Sequence, residues 1–242
     1  MSRKKKGIRR DYRMDQNVQV TMKNFPLTKV EPLTNTQQEA FESWAQGLHL
    51  VLHGVAGTGK TFLALYFAFQ SVLNPRNDHE KVYIIRSAVP TRQVGFMPGK
   101  QWEKDQVYEE AYYSICSQLF GRGDAYEVMK MKHVVEFRST SFLRGLTLDN
   151  CVLVVDEIQN MNDGELHTVM TRVGENTRVI FSGDIKQDDL TSKRYNETSG
   201  LKDFMTIMQN MSSVDLIEFT VDDIVRSDLV KEYIIVRDHL GL

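Results

Sequence analysis

Leu48-His49-Leu50-Val51-Leu52-His53-Gly54-Val55-Ala56-Gly57-Thr58-Gly59-Lys60-Thr61 decides the fold: an apolar run enters a glycine-rich turn, and a helical pattern, Phe62 to Leu73, leaves it. Glycines here let the backbone turn tightly and aim successive N–H groups at oxyanions, so Gly54, Val55, Ala56, Gly57, Thr58 and Gly59 form a phosphate cradle. Lys60 can reach the β- and γ-phosphates and the Thr61 hydroxyl can ligate Mg²⁺, while the helix that follows adds its positive end. The alternative is a chance glycine-rich turn. Eight positions matched in a strand-loop-helix context point instead to binding of a nucleoside triphosphate.

Hydrolysis needs a metal-side carboxylate and a base, and Val152-Leu153-Val154-Val155-Asp156-Glu157 supplies both. The apolar run reads as a strand buried on both faces, and ligands of parallel α/β sheets gather at strand ends. Asp156 would hold the Mg²⁺ shell, and Glu157 would polarise the attacking water. By itself an acidic pair at a strand end is a solvated cap; downstream of a phosphate cradle it reads as functional. A third strand, Thr177 to Phe181, breaks at Ser182-Gly183, and the P-loop pattern expects it between the other two. Its polar end, Asp184 or Gln187, would then sense the γ-phosphate, unless Ser-Gly-Asp is only good turn chemistry.

The chain has 242 residues with 41% apolar content, which suits one α/β domain with a real core. The longest wholly apolar stretch, Phe62 to Phe69, is too short to span a bilayer, and no apolar segment follows the basic N-terminus, so a cytoplasmic protein without membrane contact is expected. Cys116 and Cys151 sit in apolar contexts that favour reduced core thiols. Residues 1–13 carry seven Lys/Arg against Asp11 alone, a net of +6, which leaves −8 on the rest. Residues 1–15 therefore read as a basic flexible arm, either meeting phosphate backbones or merely solvating, ahead of a domain over 16–242.

Along that domain, Thr36-Gln37-Gln38-Glu39 fits a capping box, and Lys81–Arg86, His133–Phe137 and Val214–Phe219 read as strands. Gln101–Phe120, Ala125–Met131, Asp163–Arg172 and Gly200–Gln209 read as helices, and Asp222–Leu240 as a final one. Ser87 to Lys100 is a loop, with Arg86, Arg92, Lys100 and Lys104 interleaved with Phe96 and Trp102. That mix suits single-stranded nucleic acid, although the aromatics suit a core or subunit interface equally. Phe142-Leu143-Arg144-Gly145 is a second candidate contact. Strands alternating with helices predict a mostly parallel sheet covered on both faces.

Several segments in one order carry a resemblance: Leu33 to Gln37, the phosphate loop, Arg86-Ser87-Ala88-Val89, Gly95-Phe96-Met97-Pro98-Gly99, Phe142 to Leu148 and Asp156 to Asn160. They continue with Thr171-Arg172-Val173-Gly174, Ser182 to Gln187, Ser199-Gly200-Leu201 and Asp223-Ile224-Val225-Arg226. From Leu33 to Val230 the chain resembles the PhoH-like family. The resemblance implies a RecA-like ATPase lobe related to superfamily one helicases, with Gln37 near the adenine, Gln187 near the γ-phosphate, and ATP hydrolysis linked to RNA. Ser87 and Val55 stand where the family usually has proline, and Ser227-Asp228 replaces its usual His-Pro, which leaves the ATPase roles intact and blurs substrate handling.

Helicases of that class bind ATP between two lobes and take an arginine from the second, whereas this chain has room for one lobe. The finger must come from the same lobe or a neighbouring subunit, with Arg226 and Arg172 the candidates, and the second option argues for a ring, taken as a hexamer. The rival reading is a nucleotide-gated binding module with negligible turnover. A small-molecule kinase fits less well, because Asp156-Glu157 and Gln187 suit activation of water.

Overall fold

The computed structural model describes residues 25–87, 101–184 and 200–240. The basic arm, Arg92, Phe96, Lys100 and Gln187 lie outside these residues, as do the side chains of Trp102 and Lys104.

Six strands form one sheet: β1 (His49–Gly54), β2 (Lys81–Arg86), β3 (Val135–Ser139), β4 (Cys151–Asp156), β5 (Arg178–Gly183) and β6 (Val214–Phe219). Every neighbouring pair is parallel, in the order β3-β2-β4-β5-β1-β6. A parallel sheet has to be covered on both faces, and β4 is buried at all of its positions. Val152 and Val154 join one core with α1 (Asn35–Ala45), α2 (Lys60–Leu73), α3 (Gln101–Phe120) and α4 (Ala125–Met131). Leu153 and Val155 join the other, with α5 (Asp163–Met170) and α6 (Leu201–Gln209). A last helix, α7 (Asp228–His239), follows β6. This is the α/β, RecA-like P-loop lobe expected.

The strand expected to be inserted is β5, which separates β1 from β4. Its register pairs Ser182 with Asp156 and Gly183 with His53, so three strand ends meet at the carboxyl edge of the sheet. Cys116 and Cys151 are free and buried, and burial pushes their thiols up to about 12 and about 11. Among the described residues no helix is long and apolar enough to cross a membrane.

Three local expectations are corrected. The first helix begins at Asn35 with Thr34 as its cap, its hydroxyl accepting from Gln37 N–H at 3.2 Å. Thr36 is already the second residue of that helix, whereas Thr34 has the extended backbone a cap requires. Strand β3 starts at Val135 and not His133, because His133 adopts φ 58° and Val134 N–H returns to Met129 O at 2.9 Å, closing α4. The final helix starts at Asp228 and not Asp222. Residues Val221–Asp223 form a 3₁₀ turn held by a capping box in which the Asp223 carboxylate accepts from Thr220 N–H, and the chain then runs extended before α7.

Candidate functional site

At the carboxyl edge of the sheet a cavity of 540 Å³ is lined by the phosphate loop, Gln37, Asp156, Glu157, Ser182, Asp184 and Arg226. That volume suits a nucleotide-sized ligand, and the placement is where open α/β sheets bind theirs. The loop begins at Gly54, with φ 113°, where a Cβ would lie 2.0 Å from Phe219 O. Only glycine allows that approach, and Val55 N–H then donates to the same carbonyl at 2.9 Å. Thr58, fully buried, donates its hydroxyl to Val55 O at 3.0 Å and offers its own carbonyl to Gln37 Nε2 at 3.2 Å. Gly59 caps α2 without a side chain, which leaves the first amides of the helix directed at the cavity.

Lys60 Nζ donates to the carbonyls of Gly54 and Val55, each at 2.7 Å, and lies 3.5 Å from Thr58 Oγ1. Burial pushes its ammonium below its ordinary value, against the opposing carboxylates of Asp184, Glu157 and Asp156. Thr61 Oγ1 donates to Asp156 Oδ1 at 2.9 Å and stands 3.5 Å from Ser182 Oγ. A hydroxyl and a carboxylate brought together in this way are hard oxygen donors of the type Mg²⁺ takes beside nucleotide phosphates. These are the two residues the sequence assigned to the metal.

Glu157 follows Asp156 in left-handed geometry, φ 56° and ψ 49°, a conformation that costs a non-glycine residue of order 1 kcal/mol. Burial, then the neighbouring Asp156 charge, raises its carboxyl above the ordinary range, while Arg86, Gln159 and Lys60 oppose the shift. Gln159 donates its amide to Glu157 Oε2 and accepts Asp184 N–H on its Oε1 at 3.1 Å, linking the base candidate to the end of β5.

The two arginine candidates separate. Arg226 lines the cavity, and its Cγ comes within 3.1 Å of where a Cβ on Gly57 would stand; the preceding Val225 N–H donates to Gly57 O at 3.1 Å. Arg172 sits at the opposite edge, its carbonyl accepting Leu148 N–H ahead of β4 and its Nη1 directed at Leu146 O at 3.4 Å. The length of β4 puts it about 17 Å from the acidic pair of its own chain. Arg86 was expected where β2 gives way to a nucleic-acid loop; it ends β2 on the cavity wall beside Tyr112, with its guanidinium 5.6 Å from the Tyr108 ring. Tyr112 in turn donates to Asp156 Oδ2 at 2.9 Å.

Sequence reasoning missed Arg86, Tyr112 and Gln159 as site residues. Arg86 and Gln159 carried a positional signal, since both adjoin the carboxyl ends of strands. Tyr112 carried none, because it reaches Asp156 only through the packing of α3. On the same edge, Ser87 and Thr140 hydroxyls both donate to Glu165 Oε1, which fixes the turn after β3. That turn buries Leu143 and leaves Phe142 and Arg144 exposed.

A sequence model of the family described as PhoH-like protein matches residues 29–237. A PhoH-like protein of Synechocystis is 32% identical over 182 residues, covering 75% of this chain and 54% of the relative, and one of Bacillus subtilis is 31% identical over 183 residues, covering 75% and 55%. Protein PhoH of Escherichia coli K12 is 30% identical over 178 residues, covering 73% and 49%. The chain thus spans about half the length of these curated relatives. Among solved structures, the large terminase of a thermophilic bacteriophage in complex with ADP aligns with a TM-score of 0.47 at 12% identity, covering 84% of this chain and 49% of that one. The Pif1 helicase of Candida albicans aligns with a TM-score of 0.40 at 14% identity, covering 88% and 44%. With the phosphate loop, the acidic pair and the Asp223–Arg226 turn all inside the matched span, this chain belongs to the PhoH-like family.

Proposed function

We propose that the protein hydrolyses ATP with Mg²⁺ and couples hydrolysis to RNA or another single-stranded nucleic acid. The observation that carries the reading is the 2.9 Å bond between Thr61 and Asp156, which joins the phosphate loop to the acidic strand in a cavity that Glu157 also lines. In this reading Lys60 and the loop amides hold the phosphates, Thr61 and Asp156 hold the metal, and Gln37 borders the base. Glu157 takes the proton of the attacking water, and Gln187 senses the γ-phosphate. Bound Mg²⁺ would offset charge on the transferring phosphoryl group.

Arg226 acts from its own lobe, beside the loop it would serve. Arg172 can reach a phosphate only from a neighbouring subunit, which supports assembly as a ring, a hexamer in our reading. The apolar side chains of Leu229, Tyr233 and Leu240 at α7, 77%, 63% and 65% exposed, favour such subunit contacts. Phe142 and Arg144 offer an aromatic and a cation of the kind that single strands stack on and track along.

The test is steady-state ATPase with and without single-stranded RNA and DNA, on wild type and Glu157→Gln, over a range of protein concentrations. Stimulation by RNA that is lost, together with turnover, by ~10²-fold or more in Glu157→Gln supports the reading. A background rate in every condition refutes it and leaves a nucleotide-gated binding module.

A further inference from the structure

Resting on the hydrolase reading, we propose that Arg86 and Tyr112 are positioning residues that hold the Asp156 carboxylate in register with Thr61 through one relay, the Arg86 charge beside the phenol and the phenol hydrogen-bonded to the carboxylate. Asp156 is 3% exposed, and both its oxygens are engaged: Oδ1 by the Thr61 hydroxyl and Oδ2 by the Tyr112 hydroxyl, each at 2.9 Å. Tyr112 is fully buried in the core on the α2 side of the sheet, its ring 6.4 Å from that of Tyr126 and 6.1 Å from that of Phe137. A phenol in such surroundings needs partners for its hydroxyl.

The direction of the relay follows from the inventory of donors. A guanidinium only donates and an ionised carboxylate only accepts. The phenol donates to Asp156 Oδ2 and leaves its oxygen lone pairs to the Arg86 guanidinium beside it, an arrangement that suits all three groups. A cation drawing on the phenol oxygen polarises its O–H and strengthens the bond to the carboxylate. The carboxylate plane is thus pinned from the side away from Thr61, and partners of this kind set the orientation and strength of a metal ligand.

The experiment uses Tyr112→Phe, which keeps the ring and removes only the hydroxyl, Arg86→Met, which keeps length and removes the donors, and the double variant. Mn²⁺ affinity in the presence of ADP, by electron paramagnetic resonance, is measured beside kcat and KM for ATP. Each single variant should weaken Mn²⁺ binding and lower kcat by ~10-fold or more, with KM for ATP within about twofold. The double variant should be no worse than the weaker single one, because both break the same relay. Unchanged Mn²⁺ affinity in a folded Tyr112→Phe protein, or losses that add in the double variant, overturns the proposal. Arg86 lies on the cavity wall outside the core, so Arg86→Met decides the matter should Tyr112→Phe fail to fold. Background turnover in wild type would sink the hydrolase reading alone, since the Mn²⁺ comparison still tests the relay.

Discussion

Asp223→Ala probes whether the turn after β6 is what delivers Arg226 to the phosphate loop. The Asp223 carboxylate accepts from Thr220 N–H at 2.9 Å and from the Thr220 hydroxyl at 3.3 Å, and it faces the hydroxyls of Thr34 and Thr36 at the start of α1. It therefore ties the entry of the first helix to the exit of the last strand, two residues before Val225 bonds to Gly57. Losing the cap costs ~1 kcal/mol, and losing the charge-assisted bond to Thr220 N–H brings the total to roughly 2 kcal/mol. For a chain of this size that lowers Tm by about 4–8 °C. Burial works to raise the carboxyl, but the Thr220 amide and the threonine hydroxyls outweigh it and hold it below the ordinary range. A depressed carboxylate stabilises fully above its unfolded value of about 4, and that contribution fades as pH falls through the lowered folded value. The gap between wild type and variant in urea melts should accordingly be full at about pH 7 and shrink below about pH 4. Turnover should fall as well, since Arg226 loses its anchor. A destabilisation under about 0.5 kcal/mol, or a gap that does not narrow in acid, would refute this account of the turn.

Gly54→Ala should abolish nucleotide binding, measured with a fluorescent ADP analogue, because the added methyl meets a backbone carbonyl at 2.0 Å and the residue keeps φ 113°. A folded variant that binds normally would show that the loop has another way to close. Arg226→Ala should cut kcat by ~10³-fold while ATP still binds, and Arg172→Ala should do so only if it serves a neighbour. Mixing Arg172→Ala with Lys60→Ala protein should then restore part of the activity, and no recovery at any ratio excludes a finger in trans.

Most of the site was legible because its residues lie next to strands or helices with strong local signals. The eight residues of the loop, the all-buried β4 and the break at Ser182-Gly183 each announce a strand end, and strand ends of a parallel sheet converge. Errors arose where a distant partner overrode a local pattern. Thr36 looks like a helix cap from its neighbours alone, yet the helix has already begun at Asn35, where the chain passes close to the Asp223 carboxylate. The same carboxylate ends what reads as a continuous helical pattern from Asp222. Arg86 sits among cations and aromatics that suit a nucleic-acid loop, and only the packing of α3 turns it toward Tyr112 and the acidic pair. Such long-range hydrogen bonds leave no periodic trace.

The order of the strands also bears on how the protein is made. Strand β1, which launches the phosphate loop, lies between β5 and β6, the last two strands to be synthesised. On the ribosome it must wait for more than a hundred further residues, from Gly54 to Arg178, before either neighbour exists, and pairings this distant in sequence are slow to form. During that interval Leu50, Val51 and Leu52, later fully buried, stay available to other chains. Nascent-chain protease protection should therefore leave β1 open until Phe219 has cleared the exit tunnel, which makes completion of the nucleotide site wait on the emergence of β6.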